Sequence, residues 1–334
     1  MFSSLFEIDH TNAAQYLSSQ WGYDAASLRV TPLGGGVSNT VLLVETGSRR
    51  LVLKQSLAKL RVEMDWFSER ERIFRECAAL RELAPHLEAG SIPSVVFEDR
   101  DNFLFAMSAA PPGARDWKSI LLEGSPREET AATIGRMLAS MIAAGRSNPR
   151  LEAAFGDQTV FDQLRLDPYY RTTSRRHPDL APHFLRLIER CSARRFSLVH
   201  GDWSPKNFLV ENSQVMAIDF EVIHYGDPAF DVAFLLNHLV LKSFHLPRWA
   251  RLYAALADRF WNAVAQALPE EAGWLEEGAV RHLGGLLLAR IDGKSPAEYI
   301  REEGVKQQVR SFARELILNP PLTLHEVFAR LPRQ

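Results

Sequence analysis

SLVHGDWSPKNFLV, residues 197–210, and VMAIDFE, residues 215–221, decide how this chain reads. Short apolar runs bracket two polar loops, and the loops hold His200, Gly201 and Asp202, then Asn207, then Asp219 with Phe220 and Glu221. Taken singly, an Asp or Asn in such a loop is ordinarily a turn residue that bonds its own backbone. The ordered set says more. Phosphoryl transfer calls for an acceptor for a hydroxyl proton and for hard oxygen ligands that hold Mg²⁺ against phosphates. One Asp, one Asn and a second Asp, on loops that strands would hold rigidly, are those parts.

A second set lies upstream. Gly34, Gly35 and Gly36, followed by Val37, Ser38 and Asn39, fall between strand-like runs, where a glycine-rich turn lets backbone amides approach phosphates; a plain hairpin is the competing reading. Lys54 ends the next strand-like run, LVLKQ, and Glu76 lies in the helical pattern that follows, with Glu71 as the rival partner. A lysine on a strand followed by a helix glutamate is the order used to grip α- and β-phosphate oxygens. The alternative phosphate loop, G-x-x-x-x-G-K-[ST], is absent from the sequence.

These motifs sit in a chain of two halves. Leu28 to Pro32, Thr40 to Glu45, Arg50 to Gln55, Ser94 to Glu98 and Phe103 to Met107 read as strands, with a hairpin turn at Thr46, Gly47 and Ser48. Asn12 to Gln20 and Phe67 to Leu83 carry helical spacing, the latter stopped by Pro85. After a break of small residues and prolines at 108–113, helices are predicted over Arg127 to Ala144, Ala181 to Cys191, Asp231 to Lys242, Trp249 to Leu268 and Ala279 to Arg290. The expectation is an α+β fold with an N-terminal lobe over residues 1–107, a hinge at 108–113 and a helical lobe over 114–334.

HGDWSPKN followed by IDFE resembles the catalytic loop and metal-binding segment of the aminoglycoside phosphotransferase and choline kinase superfamily. That resemblance implies a bilobal, protein-kinase-like fold and an ATP-dependent transfer to a small-molecule hydroxyl. It implies Asp202 as catalytic base, Asn207 and Asp219 as Mg²⁺ ligands, and His200 as an orienter of the loop. Glu221 would add a metal contact, and Asp231 would buttress the loop from the next helix. Gly34, Gly35, Gly36, Ser38, Asn39, Lys54, Glu76 and Met107, at the hinge, would line the ATP site. GGVSNTVLLVETGSRRLVLKQSLAKLRV and FEVIHYGDPAFDVAFLLNHL are similar in part to methylthioribose kinases. Those enzymes carry a loop of the HGDLHTG type, where this chain keeps Asn207. An aminoglycoside-resistance phosphotransferase and a non-catalytic nucleotide-binding pseudokinase are the alternatives. A protein kinase is disfavoured, since neither D-F-G nor A-P-E follows Asp219.

Composition narrows the partner. A formal net charge of -2 in 334 residues provides no general basic footprint for nucleic acid or anionic membrane, so the expected partner is a small molecule. Cys77 and Cys191 stand apart with no C-x-x-C and read as thiols of a reducing cytoplasm, where the acidic, weakly apolar start of the chain also places it. Substrate-side candidates are aromatic or polar residues near the motifs: Trp66, Asp116, Trp117, Tyr169, Tyr170, Arg171, Trp203, His224, Tyr225 and Arg281, with Asp292 and Lys294 beyond them. The acidic run Glu270, Glu271, Glu276, Glu277 is the one feature suited to a polycation.

Overall fold

Arg49–Ser56 is buried continuously from Leu51 to Ser56, the pattern of a central strand, and a five-stranded antiparallel sheet is built around it. The computed structural model describes residues 6–34, 39–47, 49–57 and 69–331. The chain divides into two compact units, Met1–Pro112 and Gly113–Gln334.

In the first unit the elements run α1 (Ala13–Trp21), β1 (Arg29–Pro32), β2 (Asn39–Thr46), β3 (Arg49–Ser56), α2 (Arg72–Leu83), β4 (Val95–Asp99) and β5 (Leu104–Ser108). The sheet order is β1-β2-β3-β5-β4. Side chains alternate across a strand, so β3 serves two faces. Leu51 and Leu53 join Leu42, Val44, Leu104 and Ala106 in a core closed by Ala13, Tyr16 and Leu17 of α1. Val52 and Lys54 are in the opposite phase, and α2 packs against β3, β4 and β5 with Ile73, Glu76, Cys77 and Leu80 buried. Met107 is buried in β5, paired with Val52 and Val95.

The second unit begins with β6 (Arg115–Asp116), α3 (Trp117–Leu122) and α4 (Glu128–Gly145), then α5 (Pro149–Phe155) and α6 (Thr159–Phe161), which runs into a π-helical stretch, Asp162–Arg171. α7 (Thr172–Arg176) and α8 (Ala181–Ala193) follow. The motif region supplies β7 (Ser197–Val199), β8 (Phe208–Glu211), β9 (Gln214–Ala217) and β10 (His224–Gly226); β7 pairs with β10, and β8 lies between β6 and β9. α9 (Ala229–His245), α10 (Ala250–Ala267), α11 (Ala272–Asp292), α12 (Glu303–Leu318) and α13 (Leu324–Ala329) complete it. α9 is the core helix: every residue from Ala229 to Phe244 except His238 is buried, and it packs on α10, α11 and α12.

The small sheet unit and mainly helical unit are the α+β division read from the sequence. Several features of the second unit were not legible there. Asp162–Arg171, with Pro168 inside it, has no simple helical spacing, the short helices α3 and α5 were not predicted, and α12 and α13 fall beyond the last predicted helix.

Candidate functional site

The loop after β7 is shaped by one buried carboxylate. Asp231, in the first turn of α9, accepts the backbone N–H of His200 at 2.6 Å and of Gly201 at 2.9 Å. Burial foremost pushes its carboxyl up to about 7, against the pull of those two amides. Gly201 is required where it stands. Its φ is +77°, and a Cβ there would lie 2.7 Å from Val222 Cγ1.

His200 is fixed as a neutral ring. Its Nδ1 accepts the N–H of Asp202 at 3.1 Å, so Nε2 carries the proton and donates to Ile218 O at 3.2 Å. Burial lowers the imidazole to about 4, which keeps it neutral in ordinary buffers. Phe220 at 4.5 Å and Trp203 at 5.3 Å between ring centroids wall it in. His200 thus ties the loop after β7 to the end of β9, from which Asp219 follows.

Asp202 is held by one oxygen. Arg165 Nη2 and Lys206 Nζ both lie 2.9 Å from Oδ2, while Oδ1 has no hydrogen bond among the described residues. Arg165 also donates Nε to Gly201 O at 2.5 Å, locking its fork to the loop backbone. Burial alone would raise the Asp202 carboxyl; the Arg165 guanidinium and the Lys206 ammonium more than reverse this and hold it well below the usual carboxylate range. The Oδ1 oxygen is therefore an ionised, oriented acceptor of weak basicity. Neither Arg165 nor Lys206 was singled out from sequence. Lys206 stood inside the quoted motif, whereas Arg165 comes from the π-helical stretch, which offered no signal.

Asn207 donates Nδ2 to Asp202 O at 2.9 Å, and its backbone carbonyl accepts Ile218 N–H at 3.0 Å, so Asn207 and the segment leading to Asp219 are bound together. Asp219 itself is left-handed, with φ 71° and ψ 56°, a conformation that costs energy in a non-glycine residue and collects at functional sites. The donor chemistry fits a small hard cation: an amide oxygen and a carboxylate. Among the described residues no group of three His, Cys, Asp or Glu forms a cage of its own.

In the first unit, Lys54 Nζ meets Glu76 Oε2 at 2.6 Å with both residues buried, and Glu71 is exposed at the start of α2. Asn39 is buried as the first residue of β2, beside the end of β3 through its pairing with Ser56. Gly34 has no positive φ, and a Cβ on it would meet nothing within 4 Å. Gly35, Gly36 and Ser38 lie outside the described residues, as does Trp66.

The substrate-side candidates separate. Tyr170 bonds His282 Nδ1 at 2.8 Å in the core, Tyr225 donates to Phe196 O at 2.8 Å, and His224 stacks on Phe161 at 4.0 Å. Arg171 forks onto Asp162, Asp292 is tied to Arg310 and His177, and Arg281 pairs with Glu277. The acidic run is likewise engaged: Glu270 and Glu271 with Arg146, Glu276 with the Leu324 amide and Glu277 with Arg190. Asp116, Trp117, Tyr169 and Trp203 remain near the loop; Trp117 and Trp203 both pack on Phe208, and Tyr169 lies 5.9 Å from the Arg165 guanidinium.

Comparison with known proteins follows the same lines. A methylthioribose kinase of Escherichia coli is 26% identical over 249 residues, 66% of this chain and 59% of that protein. Methylthioribose kinase 2 of Oryza sativa subsp. japonica is 25% identical over 268 residues, 71% of this chain and 62% of that protein. The chain thus spans about three fifths of the length of the curated relatives it matches. In fold it is similar to an amicoumacin kinase solved with AMP-PNP, Ca²⁺ and Ami, with a TM-score of 0.58 and 18% identity, covering 96% of this chain and 97% of that one. It is also similar to a choline/ethanolamine kinase family protein from Mesorhizobium loti, with a TM-score of 0.52 and 18% identity, covering 96% of this chain and 98% of that one. Residues 29–274, from β1 into the first turn of α11, match the pattern of one family, and the chain belongs to it: the phosphotransferase enzyme family.

Proposed function

We propose that this protein is a small-molecule kinase that transfers the γ-phosphoryl group of ATP to a hydroxyl of a metabolite. The observation that carries the reading is Asp202, whose Oδ2 is saturated by Arg165 and Lys206 while Oδ1 stays available within a loop braced by Asp231 and His200. In this reading the acceptor hydroxyl donates to Oδ1. Its oxygen bonds to the γ-phosphorus as the bond to the bridging oxygen of ADP breaks, and its proton passes to Asp202.

A base held this far down does little deprotonation before bond making. Its work is to aim the hydroxyl, which is what a loose phosphoryl transition state asks of a protein. Lys54, oriented by Glu76, binds phosphate oxygens; Gly34 to Asn39 and the backbone at Met107 complete the nucleotide site. Asn207 and Asp219 hold Mg²⁺, which when bound neutralises phosphate charge. Lys206 is a second cation beside Asp202, placed to meet developing negative charge. The acidic run at residues 270–277 is engaged in ion pairs and a backbone amide, which weakens the sequence feature that favoured a polycationic aminoglycoside.

The test is ADP formation by the purified protein with Mg²⁺ and ATP across hydroxyl metabolites, including methylthioribose, choline, homoserine, hexosamines and aminoglycosides, with Asp202→Ala as the blank. Turnover that the variant lacks establishes the reaction. Equal turnover by the variant defeats the assignment.

A further inference from the structure

Two buried cations of the helical unit have no carboxylate partner among the described residues. Lys242 is wholly buried, and its Nζ meets the His238 carbonyl at 3.4 Å and the Tyr299 ring at 5.1 Å. Arg290, 8% exposed, donates Nη1 to the Tyr169 hydroxyl at 3.3 Å, to the Ser295 carbonyl and to Ser295 Oγ at 3.0 Å, all neutral groups, and its Nε has no partner. Buried charges are ordinarily paired, because desolvating an ion without a counter-charge is costly.

Tyr299 adds an independent sign. Its ring lies 5.1 Å from Lys242 Nζ, and its hydroxyl is buried with no hydrogen-bond partner. A hydroxyl offers one donor and two lone pairs, and leaving all of them unmet is expensive unless a ligand or water meets them. The acidic groups that act on Lys242 are committed elsewhere. Glu298 pairs with Lys118, and Asp116 accepts Ser119 N–H at 2.9 Å and Ser119 Oγ at 2.7 Å. Burial foremost, then repulsion from Lys118 and Arg290, brings the Lys242 ammonium down to about 7. The cluster is short of one anion.

Its place in the fold ties it to the reaction. Asp231, His238 and Lys242 are separated by seven and four residues, which puts them along one face of α9, the face whose first turn carries the His200–Gly201 loop. The buried His238 ring responds to the charges of Arg290 and Lys242 and also to those of Asp202 and Lys206.

We propose that Lys242, Tyr299 and Arg290 form an anion subsite of the acceptor pocket, so that the hydroxyl compound phosphorylated by this protein carries a carboxylate or a phosphate ester. The inference rests on the kinase reading above and specifies its substrate class. The three side chains bind the charged end, and the hydroxyl end reaches Asp202.

The experiment compares native protein with Lys242→Met, which keeps the stem and removes the charge. Without ligand, K242M melts higher than native, since an unpaired buried cation is gone; a lysine serving structure alone would melt lower on replacement. With saturating Mg²⁺ and AMP-PNP, inorganic phosphate or acetate at ten times its dissociation constant raises the native melting temperature by about 2 °C more than that of K242M. The larger of the two responses distinguishes a phosphate-ester from a carboxylate acceptor. Tyr299→Phe, which removes only the hydroxyl, weakens the same response and serves if K242M does not fold. Equal responses in native protein and variants overturn the subsite. A native protein with no thermal response to Mg²⁺ and AMP-PNP breaks the kinase reading instead, and the phosphate and acetate comparison in buffer alone then still decides the anion subsite.

Discussion

Lys54 and Asp202 are the two central charges of their respective units, and they are balanced differently. Lys54 meets a carboxylate, Glu76 Oε2 at 2.6 Å, and both are buried. Asp202 faces two cations on one oxygen, and one of them, Lys206, has a side chain 51% exposed. A buried ion pair is closed to water and fixes the direction of the lysine. An over-compensated carboxylate is open: it leaves surplus positive charge beside the acid, suited to negative charge arriving from outside.

The largest expected effect breaks the open side. Asp202→Asn preserves shape and leaves Arg165 and Lys206 without their anion. Steady-state kinetics should show kcat lower by about 10³-fold, and urea denaturation a loss of about 3 kcal/mol, because Arg165 is buried and left uncompensated. The closed side should respond in another parameter. Lys54→Met raises the KM for ATP by about tenfold or more, the equivalent of one charged hydrogen bond. The paired replacement Lys54→Met with Glu76→Leu recovers stability by urea denaturation without recovering nucleotide affinity, as apolar substitutes for buried ion pairs do.

Intermediate effects test the frame around Asp202. Gly201→Ala sets a Cβ against Val222 at a φ of +77° and should cost about 2–3 kcal/mol in denaturant melts, with activity falling in step. Asp231 supplies a pH signature. Its folded pKa, about 7, lies above its ordinary value of 3.8, so its contribution to stability is fully present below pH 4 and is lost as pH rises through 7. Thermal melts across that range should slope downward, and Asp231→Asn should flatten the slope. Lys206→Met is the smallest in stability, about 0.5 kcal/mol for a half-exposed pair. It sharpens the comparison if kcat still drops about tenfold, a split that a merely structural ion pair would not give.

The sequence carried the strands well because both faces of β3 are buried and β-branched or apolar runs announce that. It drew attention to the loop residues because HGDWSPKN is contiguous and its chemistry local. Arg165 was hidden for the opposite reason: it reaches Gly201 from 36 positions away, out of a stretch, DQLRLDPYYR, whose mixed charges look like an exposed connection. Lys242 was hidden inside an apolar helix, where a polar letter reads as an exposed face and only the burial of α9 on α10, α11 and α12 shows otherwise. Glu76 over Glu71 was a choice that helix phase decides, and the phase depends on where α2 begins, at Arg72.

The π-helical stretch from Asp162 to Arg171 bears on how this protein tolerates insertions and deletions. Its wider turn takes up about one residue more than an α-helix does, and each residue added to or removed from a helix rotates everything beyond it by about 100°. Shortening Asp162–Arg171 by one position to regularise it would swing Arg165 away from Gly201 O while every residue of HGDWSPKN stayed in place. A lineage that lost that single codon would keep its motif intact and lose the grip that gives the motif its charge.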